Sequence, residues 1–322
     1  VAYWGARDVV GIVERACARA SVACAPVDLQ SAAGTTAAIE SLLADGDALM
    51  IVGDASMPRE RTAELVAMAE RRRARMLHLP RADARILATS VRASPDTIER
   101  LQRRLAELCR MPVVFSLDEA RARASQPTSG TTRWRVTSPT GTDLELTLDH
   151  RHPLVGGTGR PRPGDYDVAP TGYLHTYPSH VTGVLVADRL AFGSKVRATA
   201  TQLRRAPLEL TIKASRVTDA RCADPELARA FEAYQGLDPY ASRVGNVGFG
   251  TNPLALAELA HDVHDGVMAG VVVCLGDTAR QITGAPYASS VLLRLGGRGQ
   301  TVTIDGKTVI DRGRYVRELL DV

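Results

Sequence analysis

Aromatic residues are scarce: they make up 4% of 322 positions, and the chain has two tryptophans. Proteins that hold single-stranded nucleic acid stack bases on aromatic platforms set among cations, and no basic stripe alternates with aromatics here. Net charge is only +4, and "RRRAR" (71–75) reads as the cationic close of a helix, where positive charge suits the carbonyl end. Nucleic acid is therefore not an expected partner. No run of about eighteen apolar residues occurs, so no membrane-spanning helix is expected. The opening "VAYWGARDVVG" lacks the basic-then-apolar layout of a signal peptide, and none is expected. Five cysteines (Cys17, Cys24, Cys109, Cys222 and Cys274) are odd in number and scattered. They suit the buried thiols of a cytoplasmic protein better than disulfides or a zinc cluster. No GxGxxG follows a strand, so no dinucleotide cofactor is inferred.

What is present is an ordinary globular composition, 45% apolar and 24% charged, in a chain long enough for two domains. Over residues 1–124 helical and strand patterns alternate. "ARDVVGIVERACARA" has helical period, and "VACAPVDL" reads as strand. "TTAAIESLLADG" is helical with a Gly stop, "ALMIVGD" (48–54) a strand, "PRERTAELVAMAERRRAR" a helix and "MLHLP" a strand. "SPDTIERLQRRLAELCRM" (94–111) repeats apolar positions at Ile98, Leu101, Leu105 and Leu108 behind a candidate cap at Ser94. This alternation predicts a Rossmann-like α/β layer with a parallel sheet.

"SQPTSGTT" (125–132) reads as a linker. From 133 to 322 strands dominate. "RWRVTSPTGTDLELTLDHR" (133–151) alternates on both sides of Pro139-Thr140-Gly141, a hairpin signature. "GVLVADRL", "LELTIKASRV", "VVVCLGD", "SSVLLRL" and "TVTIDGKTVI" continue the pattern. Helices are expected at 224–235 and 253–268. The expectation is a strand-rich α+β domain on antiparallel sheets.

"AHDVHDGVMAGVVVCLGDT" (260–278) gathers two histidines, three aspartates and a cysteine. On a helix over 253–268, Leu256, Ala260, Val263 and Val267 form the inward stripe. His264 borders that stripe, and Asp262 and Asp265 point away from it. His261 and His264 could clamp one ion, yet HxxH needs a third ligand, and none converges. Local geometry favours a polar helix surface with one half-buried histidine. Ser179, His180 and His175 share a short region with Tyr173 and Tyr177, but no carboxylate is placed to orient a histidine as a triad requires. Asp149, His150 and His152 read as a solvated loop, "GGTG" (156–159) as a turn, and Cys274 as core.

Five segments in order carry a resemblance: "RVTSPTGTDLELTLDHR" (135–151), "VAPTGYLHTYPSHVTGVLVADRL" (168–190), "VGNVGFGTNP" (244–253), "AGVVVCLGDT" (269–278) and "LRLGGRGQTVTIDGKTVIDRGRY" (293–315). Together they resemble the superfamily of aminopeptidase T and the iron-dependent 2,5-dihydroxypyridine 5,6-dioxygenases. The resemblance implies where metal ligands should fall. The glutamate of its "PxGEV" segment falls on Tyr173, and that of "GExGxGxNP" on Asn246. The histidine of "GTxHxAxG" falls on Val272, and the histidine and aspartate of the closing "HxDxxxR" fall on Leu292 and Arg294. Valine and leucine have no lone pair to donate, and Arg294 puts a cation where the family places an anion. Neither a two-histidine-one-carboxylate iron site nor a bridged dinuclear site survives. By this register His261 and His264 lie outside the family's metal positions.

Within the superfamily the chain is similar to the metal-less proteins of crocagin biosynthesis, a ribosomally made, modified peptide. That similarity implies a non-catalytic protein that binds a precursor peptide, with no metal and no cofactor. The candidate ligand-binding residues are Tyr173, His175, Asn246, Val272, Leu292 and Arg294. The alternative is an enzyme of changed chemistry: a metal-independent hydrolase or cyclase, or a dioxygenase-like site re-sited on His175, His180, His261 and His264. Relatives of this superfamily pair through their strand-rich domain, and the runs 208–217 and 300–310 are expected to leave edges needing cover. A cytoplasmic homodimer is expected.

Overall fold

A computed structural model of the chain describes residues 1–54, 56–124 and 128–320. Residues 125–127 of the expected linker lie outside the described residues. The chain divides into two compact units, one formed by 1–95 with 157–171 and the other by 96–156 with 172–322. The division expected at 125–132 is therefore misplaced, for two physical reasons. The helix Pro95–Cys109 buries Leu101, Leu105 and Cys109 in the core of the strand-rich unit. The short strand Tyr166–Val168 returns to pair with Arg75–Leu79 in the first unit.

The first unit carries a five-stranded sheet in the order Val27–Asp28, Ala2–Trp4, Ala48–Gly53, Arg75–Leu79, Tyr166–Val168. All four neighbouring pairs are parallel. Its helices include Arg7–Arg19, Thr36–Leu42 and Arg59–Arg71. The Thr35 hydroxyl caps the second by accepting from the Ala38 N–H at 3.2 Å, as side-chain oxygens do at helix starts. Of the expected strand 22–29, only Val27–Asp28 forms.

The second unit holds two sheets. The eight-stranded one runs Arg216–Arg221, Leu208–Lys213, Pro178–Ala187, Asp143–Asp149, Thr131–Thr137, Thr301–Ile304, Lys307–Asp311, Arg314–Tyr315. Its strands alternate, with Trp134 and Val136 facing inward beside Leu144, Leu146 and Leu148. Arg216–Arg221 covers the Leu208–Lys213 strand, so 208–213 is interior and the edge passes to its hairpin partner.

The seven-stranded sheet runs Leu190–Gly193, Leu292–Gly296, Val271–Gly276, Val244–Gly250, Tyr173–Thr176, Leu154–Gly157, Val113–Val114. Its central strands Val244–Gly250 and Val271–Gly276 are buried at every position, because both faces are covered. One face sends Leu174, Val247, Phe249, Val273 and Leu295 into the main core. There the Phe249 ring meets Trp134 of the eight-stranded sheet at 4.3 Å between centroids. The other face carries a separate small cluster of Leu190, Val272 and Cys274, packed with Tyr173, Phe192 and Leu292. Because side chains alternate along a strand, this second face is where the candidate residues gather.

The helix expected over 253–268 shrinks to Asp262–Gly266. Ala260 takes a left-handed conformation, φ +56, which ends any regular helix there. Polar side chains bind the backbone instead. The Asp265 carboxylate accepts the Leu259 N–H at 2.9 Å, and a His264 ring nitrogen meets the Ala257 carbonyl oxygen at 2.9 Å. Such local bonds compete with helix formation. Leu256, expected inward, is 82% exposed, and Asp262 and Asp265, expected outward, are buried.

Candidate functional site

Four adjacent strands bring the six candidate positions to one face of the seven-stranded sheet. Tyr173 lies opposite Gly250, and His175 opposite Gly248. Asn246 lies opposite Cys274, and Val272 opposite Gly248. Cys274 in turn lies opposite Arg294, and Gly276 opposite Leu292. Gly248 is required by this closeness: a Cβ there would come within 2.7 Å of the His175 Cβ. Gly266, from the short helix above, leaves room in the same way, since a Cβ would come within 2.7 Å of Arg294 Nη2.

The polar groups form a chain. The Asn246 Nδ2 donates to the Asp277 carbonyl oxygen at 2.9 Å, and its Oδ1 accepts from the Tyr173 hydroxyl at 3.3 Å. The same hydroxyl lies 3.7 Å from Cys274 Sγ. The His175 ring stacks on Tyr173, 5.2 Å between centroids and 14° from parallel. The Arg294 guanidinium carbon sits 4.8 Å from the centre of the Tyr173 ring. Arg294 Nη2 donates to the Gly266 carbonyl oxygen at 3.5 Å. The Arg294 Nε and His175 Nδ1 are enclosed and have no hydrogen-bond partner.

Burial, more than the nearby Arg294 charge, sets the ionisation of these groups. It pushes the Tyr173 phenol well above its usual range and raises the Cys274 thiol, while Arg294 partly opposes both shifts. Both groups hold their protons near neutral pH, which makes Cys274 a poor nucleophile. Burial, aided by the Arg294 charge, lowers His175 to about 4, so its ring is neutral.

These side chains do not fit a metal ion. Val272 and Leu292 offer no lone pair. The Asn246 amide is committed at both ends, the Tyr173 phenol keeps its proton, and Arg294 is a cation within the same cluster. A transition metal needs several convergent N, O or S donors. Among the described residues no group of three or more His, Cys, Asp or Glu is placed to hold one.

The other sequence candidates are dispersed. His180 is exposed on the eight-stranded sheet. His261 caps the short helix by accepting from the His264 N–H at 3.3 Å, so this histidine pair shapes a loop. His150, expected in a solvated loop, is buried, with its Nε2 2.9 Å from the Thr132 hydroxyl. His152 Nδ1 lies 2.9 Å from the Thr283 carbonyl oxygen. Sequence patterns did not single out Phe192 or Gly266, and they treated Cys274 only as core. Cross-strand register and the folded-back loop join these three to the site.

The fold and site define a mixed α/β protein in which Tyr173, His175 and Arg294 pack together on one face of a buried sheet. The sequence profile of 2,5-dihydroxypyridine 5,6-dioxygenase matches residues 74–317, and the chain belongs to that family. The fold is similar to that of a 2,5-dihydroxypyridine dioxygenase from Pseudomonas putida KT2440. That likeness has a TM-score of 0.56 at 17% identity and covers 99% of this chain and 92% of that one. It is also similar to AmpT from Thermus thermophilus, with a TM-score of 0.57 at 15% identity, covering 98% and 93%. Both likenesses show a shared fold. A search of curated proteins gave no sequence match.

Proposed function

We propose that this chain is a non-catalytic member of its family that binds a peptide, the precursor of a ribosomally made and modified product. One observation carries the reading. The positions that the family resemblance gives to metal ligands hold Tyr173, Asn246, Val272, Leu292 and Arg294, and three of these are joined by stacking and hydrogen bonding. A scaffold that keeps its shape while its donors become packing residues suits recognition better than turnover. A peptide is the occupant that the similarity to the crocagin proteins favours. Sheet edges beside such a site offer unpaired backbone groups to an extended chain.

Two further features belong to the same reading. We read the first unit's five-stranded parallel sheet as a Rossmann-like layer in the broad doubly wound sense; its second strand lies outside its first, the order of flavodoxin-like sheets. Five free thiols suit the cytoplasm, and no helix of the described residues is long and apolar enough to cross a membrane. The protein acts as a C2 homodimer through its strand-rich unit, and light scattering at micromolar concentration tests this: a monomeric mass refutes it. The functional test is a pull-down with short peptides encoded by neighbouring genes. Retention of one such peptide supports the reading. Failure of all of them, with turnover of a small aromatic or peptide substrate, overturns it.

A further inference from the structure

Arginine carries five N–H donors in a planar fork. Arg294 spends little of that capacity inside the protein, on a long bond to the Gly266 carbonyl oxygen at 3.5 Å and a contact with the uncharged Cys274 thiol. Its Nε is enclosed and without a partner. Among the described residues no carboxylate is paired with it. Arg298, four residues further on, is by contrast taken up by Glu258 at 2.5 Å and donates its backbone N–H to Asp188 at 2.6 Å. Nor do the neighbours of Arg294 neutralise it: the Tyr173 phenol, the Cys274 thiol and the His175 imidazole are all held uncharged. A half-buried cation without a counter-charge is a costly arrangement.

We propose that the position the family gives to a metal cation is an anion site in this chain, where the Arg294 guanidinium receives a carboxylate. The guanidinium carbon sits over the Tyr173 ring at 4.8 Å, and of its N–H groups only Nη2 has a backbone acceptor, the Gly266 carbonyl oxygen. Two parallel N–H donors match a carboxylate's two oxygens. His175, stacked on the Tyr173 ring, carries a second enclosed nitrogen without a partner. The partly buried Phe192 and Leu292, packed on Val272, provide an apolar wall for the carbon skeleton behind the carboxylate. The inference rests on the reading of this face as a binding surface, on which the carboxylate belongs to the peptide.

Benzoate is the probe, with benzamide as its uncharged isostere, and the readout is the Arg294 Nε–H resonance in a proton–nitrogen spectrum of the full chain. Arg294→Lys identifies the resonance by its loss, keeps the positive charge and removes the fork. Benzoate is expected to shift the resonance saturably and benzamide is not; calorimetry, which needs no arginine resonance, is expected to show benzoate binding to Arg294→Lys roughly tenfold or more weaker than to wild type. Equal shifts with both probes, no saturable shift, or unchanged affinity in the lysine variant would each overturn the anion site. A peptide ending in a free carboxylate, compared with its amide, separates the two proposals. If benzoate shifts Arg294 but no peptide binds, the anion site stands and the peptide reading falls. If peptides bind the acid and amide forms alike and benzoate has no effect, the peptide reading stands and the anion site falls.

Discussion

The guanidinium of Arg294 lies over the ring of Tyr173 at 4.8 Å, and the hydroxyl of that ring donates to Asn246 at 3.3 Å. Residues from three strands are thus locked together at positions where the family resemblance places metal ligands. A cation over an aromatic face contributes about 0.5–2 kcal/mol, depending on desolvation. Tyr173→Phe keeps the face and removes the hydroxyl, so stability should fall by about 1 kcal/mol. Tyr173→Leu also removes the face and should cost about 2–4 kcal/mol. Urea unfolding of both variants checks this ranking. Equal losses would show that the ring face contributes nothing.

Gly266→Ala should disturb the site without unfolding the chain. The new methyl would meet the movable end of Arg294 rather than backbone. The expected outcome is a moved Arg294 Nε–H resonance and weaker benzoate binding, with the urea midpoint close to wild type. A resonance at its original position would mean that Gly266 leaves more room than the geometry gives it.

The two sheets of the strand-rich unit meet at Trp134 and Phe249. Trp134 is 1% exposed, so Trp134→Ala should leave a large cavity and cost roughly 3–5 kcal/mol. Calorimetry reads the loss directly. A cost below about 1 kcal/mol would show that the sheets do not depend on this contact.

In the first unit two neighbouring strands carry groups with opposite pH signs. Burial lowers His78 to about 4 from 6.5, so its contribution is present above about pH 6.5 and lost as pH falls through about 4. Burial raises Asp167 to about 6 from 3.8, against backbone N–H bonds from Gly159 and Val168. Its contribution is present below about pH 3.8 and lost as pH rises through about 6. Between about pH 4 and 6 the two offset each other. His78→Asn should make thermal stability fall more steeply with rising pH than in wild type, and Asp167→Asn should make it rise. Slopes changed in the same direction would contradict the assignment.

Much of this fold is legible in the sequence because the relevant periods are local. The 131–149 hairpin follows from the alternation through Trp134, Val136, Leu144, Leu146 and Leu148 around a Thr-Gly turn. The helix Pro95–Cys109 follows from Ile98, Leu101 and Leu105. Residues 253–268 mislead because their apolar spacing mimics a helix, while Asp265 and His264 bind the backbone and draw the segment into a loop. The unit boundary is hidden because Tyr166–Val168 pairs with a strand ninety positions earlier, Met76 facing Tyr166, and no local pattern reports that. The family resemblance singled out positions 173, 246, 272, 292 and 294, and strand register gathers them on one sheet face. That Arg294 turns onto Tyr173, with His175 stacked beside it, depends on strand register and on the loop bearing Gly266.

The central claim, that the site is built of packing residues and holds no catalytic metal, is tested most directly by elemental analysis. The chain would be expressed with added iron, zinc and manganese, dialysed, and measured for bound metal. The account predicts no stoichiometric transition metal, because Tyr173, Asn246, Val272, Leu292 and Arg294 offer no convergent donor set. Close to one equivalent of iron or zinc per chain, retained through dialysis and lost in a His175→Ala variant, would contradict it.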